Sequence, residues 1–186
     1  MEQTPIAKEP FEIYQVVDST AITLASDTLI YNALPVLSDS FKIIFSFKPD
    51  SSQTVEWGQV IQFRTGDGSS YAYGDSIPDI YYHESTETLR FYFDIDGTAQ
   101  GVPMDSTSGN VESVTVGTDE WHDIVIDQRI DGSTYDLTIW INGINTHSYT
   151  NSDARTFSNV KVYASGSATN QTSGEVKDVG VSSIRK

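Results

Sequence analysis

The chain contains no cysteine. That excludes disulfides, thiolate metal sites and cysteine nucleophiles. Bases are scarce: 11 Lys and Arg stand against 26 Asp and Glu, a formal net charge of −15. Phosphate binding needs a basic footprint, so nucleic acid is not an expected partner. An anionic membrane surface is disfavoured for the same reason. No stretch is apolar for long enough to span a membrane as a helix. The opening MEQTPIAKEP lacks the apolar core of a signal peptide, so either the protein is cytosolic or a signal has been trimmed; the expectation is the second, a secreted, extracellular protein. There is no heptad repeat and no long amphipathic stretch; at most one turn of helix is expected over residues 25–34.

What is present is β pattern. Phe41, Ile43, Phe45 and Phe47 alternate with Lys42, Ser46 and Lys48. The same alternation runs through Leu89, Phe91, Phe93 and Ile95, then Tyr135, Leu137, Ile139 and Ile141, then Val160 and Val162. Period two is the signature of strands with one covered face. In WHDIVIDQR, residues 121–129, Ile124 and Ile126 also lie two apart. Asp67-Gly68, Asp96-Gly97, Asp131-Gly132 and Asn142-Gly143 are turn pairs, and Asn142-Gly143 directly follows the strand YDLTIWI. Residues 121–148 therefore read as an antiparallel meander. Residues 10–186 are expected to form one all-β domain, a two-sheet antiparallel sandwich, behind a loose tail at residues 1–9. The strands Phe11 to Val17 and Glu175 to Ile184 should lie near each other.

FKIIFSFKP, GQVIQF, LRFYFDIDG, EWHDIVIDQ, LTIWINGI and FSNVKVYASG occur in the strand order of a laminin G-like domain, which the chain resembles over roughly residues 10–184. That resemblance implies the jelly-roll sandwich of the concanavalin A-like superfamily. It also implies that the Trp121–His122 strand is structural, although the pair with its neighbouring acids has the look of half a catalytic site.

Enzymes occur on the same sandwich, so their signatures need checking. Retaining hydrolases of this fold carry an E-x-D-x-x-E strand; Glu84, Glu87, Glu112 and Glu120 begin no such pattern. Lyases use a Gln-x-His strand, and neither Gln59-Val60-Ile61 nor Gln62-Phe63-Arg64 supplies the His. No G-x-S-x-G elbow is present. The expectation is a non-catalytic extracellular binding module for carbohydrate. The alternative is a protein-binding matrix or adhesion module, and a polysaccharide-cleaving enzyme is the third reading.

Sugars ask for aromatic faces beside acids and amides. YAYGDSIPDIYYHE is the densest such stretch, with Tyr71, Tyr73, Asp75, Asp79, Tyr81 and His83 as candidate ligand-binding residues. The bases are scattered in sequence, which favours a neutral sugar or a basic protein patch over a polyanionic glycan. Of the acids, 17 are Asp and 9 are Glu. Asp suits turns and hard cations. By position in the strand order, the resemblance implies a rim calcium ion on Asp75, Asp79 and Asp153.

Overall fold

The computed structural model describes residues 11–25, 27–52, 56–66, 74, 76–93, 102–103, 114–165 and 172–184. These hold fourteen strands and no helix. In chain order they are β1 (Phe11–Gln15), β2 (Ile22–Thr23), β3 (Thr28–Leu37), β4 (Phe41–Pro49), β5 (Gly58–Arg64), β6 (Asp79–His83) and β7 (Thr88–Phe93). There follow β8 (Val102–Pro103), β9 (Val114–Thr115), β10 (His122–Asp131), β11 (Thr134–Ile141), β12 (Ile144–Asn151), β13 (Phe157–Ala164) and β14 (Gly174–Ile184).

The strands form two antiparallel sheets. The first runs β1-β14-β4-β10-β11-β12, with β2 also on β14. The second runs β3-β13-β5-β6-β7-β8, with β9 also on β7. The terminal strands β1 and β14 lie near each other as expected, and they pair, Phe11 opposite Ile184 and Gln15 opposite Gly180. The meander is also present: β10 and β11 are joined by a turn at Gly132-Ser133, one residue on from the expected pair, and β11 and β12 by the turn at Asn142-Gly143. Asn142 and Gly143 have φ of 52° and 77°, the left-handed pair that a tight turn between right-twisted strands requires.

The period-two residues fill the space between the sheets. Ile43, Phe45, Phe47, Ile124, Ile126, Leu137 and Ile139 of the first sheet are buried, as are Phe63, Ile80, Tyr82, Leu89, Phe91, Val160 and Val162 of the second. Phe47 meets Tyr82 edge-to-face across the gap, ring centroids 5.7 Å apart. Burying side chains of this size contributes about 1.5–3 kcal/mol each, which is the main force holding the layers together. Gly174 opens β14 where a β-carbon would meet the Lys48 backbone oxygen at 2.4 Å, so only glycine permits β14 to lie this close to β4 there.

One sequence expectation is corrected. Most of residues 25–34 is not a turn of helix: β3 begins at Thr28 and runs as strand to Leu37. Its Leu34 and Leu37 are fully buried, and packing outweighs local propensity. Pro35 is tolerated because β3 is an edge strand, paired only with β13, and its missing N–H breaks no ladder.

Candidate functional site

On β6, Ile80 and Tyr82 point into the core, so the two-residue period turns Asp79, Tyr81 and His83 to the outer face of the second sheet. Three candidate residues from the sequence therefore share one face. Tyr71, Tyr73 and Asp75 lie outside the described residues.

Cross-strand register adds residues that the sequence reading missed. Gln62, Asp79 and Tyr92 stand in one row across β5, β6 and β7, and Gln59, Tyr81 and Arg90 stand in a second. Tyr163 and Lys161 of β13 lie opposite Gln62 and Arg64. Trp57 immediately precedes β5. The signal was present in the sequence: Arg90, Tyr92, Lys161 and Tyr163 are the polar partners of alternating strands. Their convergence was not, because it depends on which strands are neighbours.

The face is tied together by hydrogen bonds. Asp79 is buried and accepts from the Gln59 side-chain amide, from Gln62 Nε2 at 3.3 Å and from the Tyr81 hydroxyl at 3.1 Å. Arg64 Nη1 donates to Gln62 Oε1 at 3.0 Å. Arg90 Nη1 donates to the Tyr92 hydroxyl at 3.2 Å. Both guanidiniums lie on rings, Arg64 at 3.9 Å from the Tyr163 centroid and Arg90 at 3.8 Å from that of Trp57. Tyr81 and Tyr92 meet edge-to-face with centroids 5.5 Å apart. His83 is buried edge-on to Trp57 at 4.4 Å, with Nδ1 3.3 Å from Ser85 Oγ. Locked rotamers, stacked rings and satisfied amides make a preorganised polar-aromatic platform.

The calcium set does not come together in the same way. Both oxygens of Asp79 are committed to neutral donors on the face. Asp153 belongs to the turn after β12, and its carboxylate pairs with Arg155 at 2.5 Å. Among the described residues, no three His, Cys, Asp or Glu side chains converge as a metal site needs. Asp75, the third residue of the expected set, lies outside the described residues.

Trp121 and His122 are part of the scaffold. His122 shares the inward face of β10 with Ile124 and Ile126 and is buried. Its Nδ1 accepts from the Asn142 amide at 3.2 Å, which leaves Nε2–H to donate to the Gly117 carbonyl at 2.8 Å. The Trp121 ring lies under the ammonium groups of Lys177 and Lys48, at 4.3 and 5.3 Å from its centroid. A cleft of about 390 Å³ nearby is lined by Lys48, Asp50, Asp119 and Glu175. There Asp50 and Asp119 accept from the backbone N–H groups of Ser52 and Ser51, and Lys48 pairs with Glu175. Those contacts serve the loops.

No protein-family model matches the chain, and no curated protein matches it in sequence. Solved structures do. The chain is similar to the carbohydrate recognition domain of Emp47p, with TM-score 0.52, 14% identity, and 95% of this chain and 89% of that one covered. It is similar to the potassium-bound carbohydrate recognition domain of Emp46p, with TM-score 0.50, 12% identity, and 93% and 88% covered. It is also similar to a mutant of the alginate lyase Aly36B in complex with an alginate trisaccharide, with TM-score 0.50, 14% identity, and 89% and 81% covered. At such identities the likeness is one of fold: the chain is an all-β, two-sheet antiparallel jelly-roll sandwich of the concanavalin A-like type.

Proposed function

We propose that the protein is a non-catalytic, extracellular carbohydrate-binding module, laminin G-like within its fold, whose ligand lies on the outer face of the second sheet. The observation that carries the reading is the platform of Tyr81, Tyr92, Trp57 and Tyr163 interleaved with Asp79, Gln59, Gln62 and the two arginines. Aromatic faces suit the C–H surfaces of sugars, and amides with a carboxylate suit their hydroxyls. On this face Asp79 is bonded to neutral donors, and Glu56, exposed beside Trp57, lies 3.7 Å from His83 Nε2. Double displacement uses two carboxyl groups about 5–5.5 Å apart. The carbohydrate recognition domains of similar fold are in keeping with sugar as the ligand class.

A glycan array followed by calorimetry tests the proposal. Binding that is weakened at least tenfold in Tyr81→Ala and Tyr92→Ala, with intact folding, is the expected result. Turnover of a bound polysaccharide would overturn the non-catalytic part.

The second reading, a protein-binding matrix or adhesion module, rests on the opposite face. Val125 of β10 lies between Ile44 of β4 and Trp140 of β11. Ile44 and Trp140 are 41% and 38% exposed, so an apolar stripe crosses three strands of the first sheet. If Trp140→Ser abolishes capture of a matrix protein while no glycan binds, this reading replaces the first.

A further inference from the structure

In a chain where acids outnumber bases by more than two to one, a base finds a carboxylate easily. Arg129 pairs with Asp127 at 2.8 Å, Arg155 with Asp153 at 2.5 Å, and Lys48 with Glu175. The two arginines of the platform do not follow this pattern. Arg64 has only the exposed Asp27 at 3.9 Å, and Arg90 has no carboxylate in ion-pair range among the described residues. Each is instead half-buried on an aromatic ring and donates to a neutral oxygen, of Gln62 or Tyr92. Asp79 is bonded to Gln59, Gln62 and Tyr81. Gln62 donates to Asp79 and accepts from Arg64, and so keeps that anion and that cation apart. Among the described residues, the face thus holds two oriented guanidiniums, neither in a close ion pair.

Among the described residues, Nε of both arginines is buried without a partner and Nη1 of each donates to a neutral oxygen, so the Nη1–Nη2 end of the fork is the part left to meet a carboxylate, which a guanidinium binds with two parallel hydrogen bonds. Partial burial lowers the local dielectric and strengthens such a pair. The register places Arg64 and Arg90 two residues to opposite sides of the Gln62–Asp79–Tyr92 row, on strands that flank β6. Strand and residue spacings put their Cα atoms roughly 16 Å apart, an oligosaccharide's length. Resting on the carbohydrate reading above, we propose that this face selects glycans that carry carboxylates, with Arg64 and Arg90 as the residues that recognise the acid groups. Bases scattered in the sequence are gathered here by the fold, so the neutral-sugar expectation gives way to an acidic one.

Calorimetry on the full chain decides it, with three probes: a tetrameric oligouronate, the same oligomer after carboxyl reduction, and a sialylated trisaccharide. One of the two acidic probes is expected to bind at least tenfold more tightly than the reduced oligomer. Which one does so distinguishes a chain uronate from a terminal sialic acid. Arg64→Gln and Arg90→Gln should each remove most of that preference. Arg90→Lys keeps the charge over Trp57 and should restore only part, because an ammonium lacks the planar fork. Melting midpoints of all variants separate lost recognition from lost folding, and the lysine variant serves if the glutamine variant melts early. Equal affinity for acidic and reduced oligomers, unmoved by the arginine variants, overturns the inference and leaves the carbohydrate reading standing. If folded wild type binds no glycan at all, both fall.

Discussion

Asn142, the left-handed first residue of the β11–β12 turn, donates its side-chain amide to Nδ1 of His122 at 3.2 Å. Its Oδ1 accepts from the Asp123 backbone N–H at 2.9 Å, and its own N–H donates to the Asp123 carbonyl at 2.8 Å. One turn residue thus clamps the start of β10. Asn142→Gly keeps the left-handed backbone and deletes both side-chain bonds, leaving Nδ1 of a buried His without a donor. The expected loss is about 1–3 kcal/mol. For a chain of this size that is a fall in Tm of a few degrees for each kcal/mol. Asn142→Ala should cost about 1 kcal/mol more, through backbone strain. Thermal melts check this ordering, and an unchanged midpoint in Asn142→Gly would remove the clamp from the account of the fold.

Tyr82 makes a different kind of pH-dependent contribution. It is fully buried against Phe47, and its hydroxyl meets no hydrogen-bond partner among the described residues. Burial first, then the charges of Glu87, Glu84 and Asp119, pushes its phenol up to about 12. An unfolded tyrosine ionises near 10. The folded state therefore holds the proton more tightly, and the associated stability is complete below pH 10 and lost as pH rises toward 12. The full effect is about 2–3 kcal/mol. Tyr82→Phe should match or exceed wild type at pH 7, since it removes an unsatisfied hydroxyl. It should also lose less stability than wild type between pH 10 and 12. Denaturant midpoints across that range test it; parallel curves for the two proteins would count against the assignment.

The strands were legible because alternation such as Phe41-Ile43-Phe45-Phe47 is a local signal of burial on one side. The β11–β12 turn was legible from Asn142-Gly143 for the same reason. The strand at residues 28–37 was not, since Leu34 and Leu37 are held by partners 120 or more residues away on β13. Asp79, Tyr81 and His83 of the platform could be read from DIYYH, the continuous strand β6. Arg64, Arg90 and Tyr163 could be seen only as outward polar positions. That they meet depends on the order β13-β5-β6-β7, which no local pattern encodes.

Calcium makes a sharp case. Asp153 would have to leave Arg155, and Asp79 would have to give up Gln59, Gln62 and Tyr81. A ligand specific for the native state raises its melting temperature by mass action. With Asp153 and Asp79 so engaged, melts of wild type in calcium and in chelator are expected to coincide within about 1 °C. A calcium-dependent rise that vanishes in Asp153→Ala would restore the rim ion.

Asp79→Asn probes how far the platform is one cooperative unit. Asparagine has the same shape but replaces one acceptor oxygen with an NH₂ donor. Asp79 now accepts from three donors, so the variant must turn an NH₂ toward Gln59 or toward Gln62 and Tyr81. Either way a buried donor loses its acceptor, at a cost of about 1–3 kcal/mol. The Gln62 amide can recover a bond by rotating, but its Oε1 then leaves Arg64 Nη1, now 3.0 Å away. The strain should therefore reach β5 and the Arg64–Tyr163 stack. The expected outcome is a Tm lower by several degrees, together with weaker glycan binding at temperatures where the variant is fully folded. Double-mutant cycles with Arg64→Gln should give a coupling of about 0.5 kcal/mol or more, the mark of residues in one network. Strict additivity between the two sites would mean that Gln62 does not link them, and that Asp79 acts on the ligand directly or not at all.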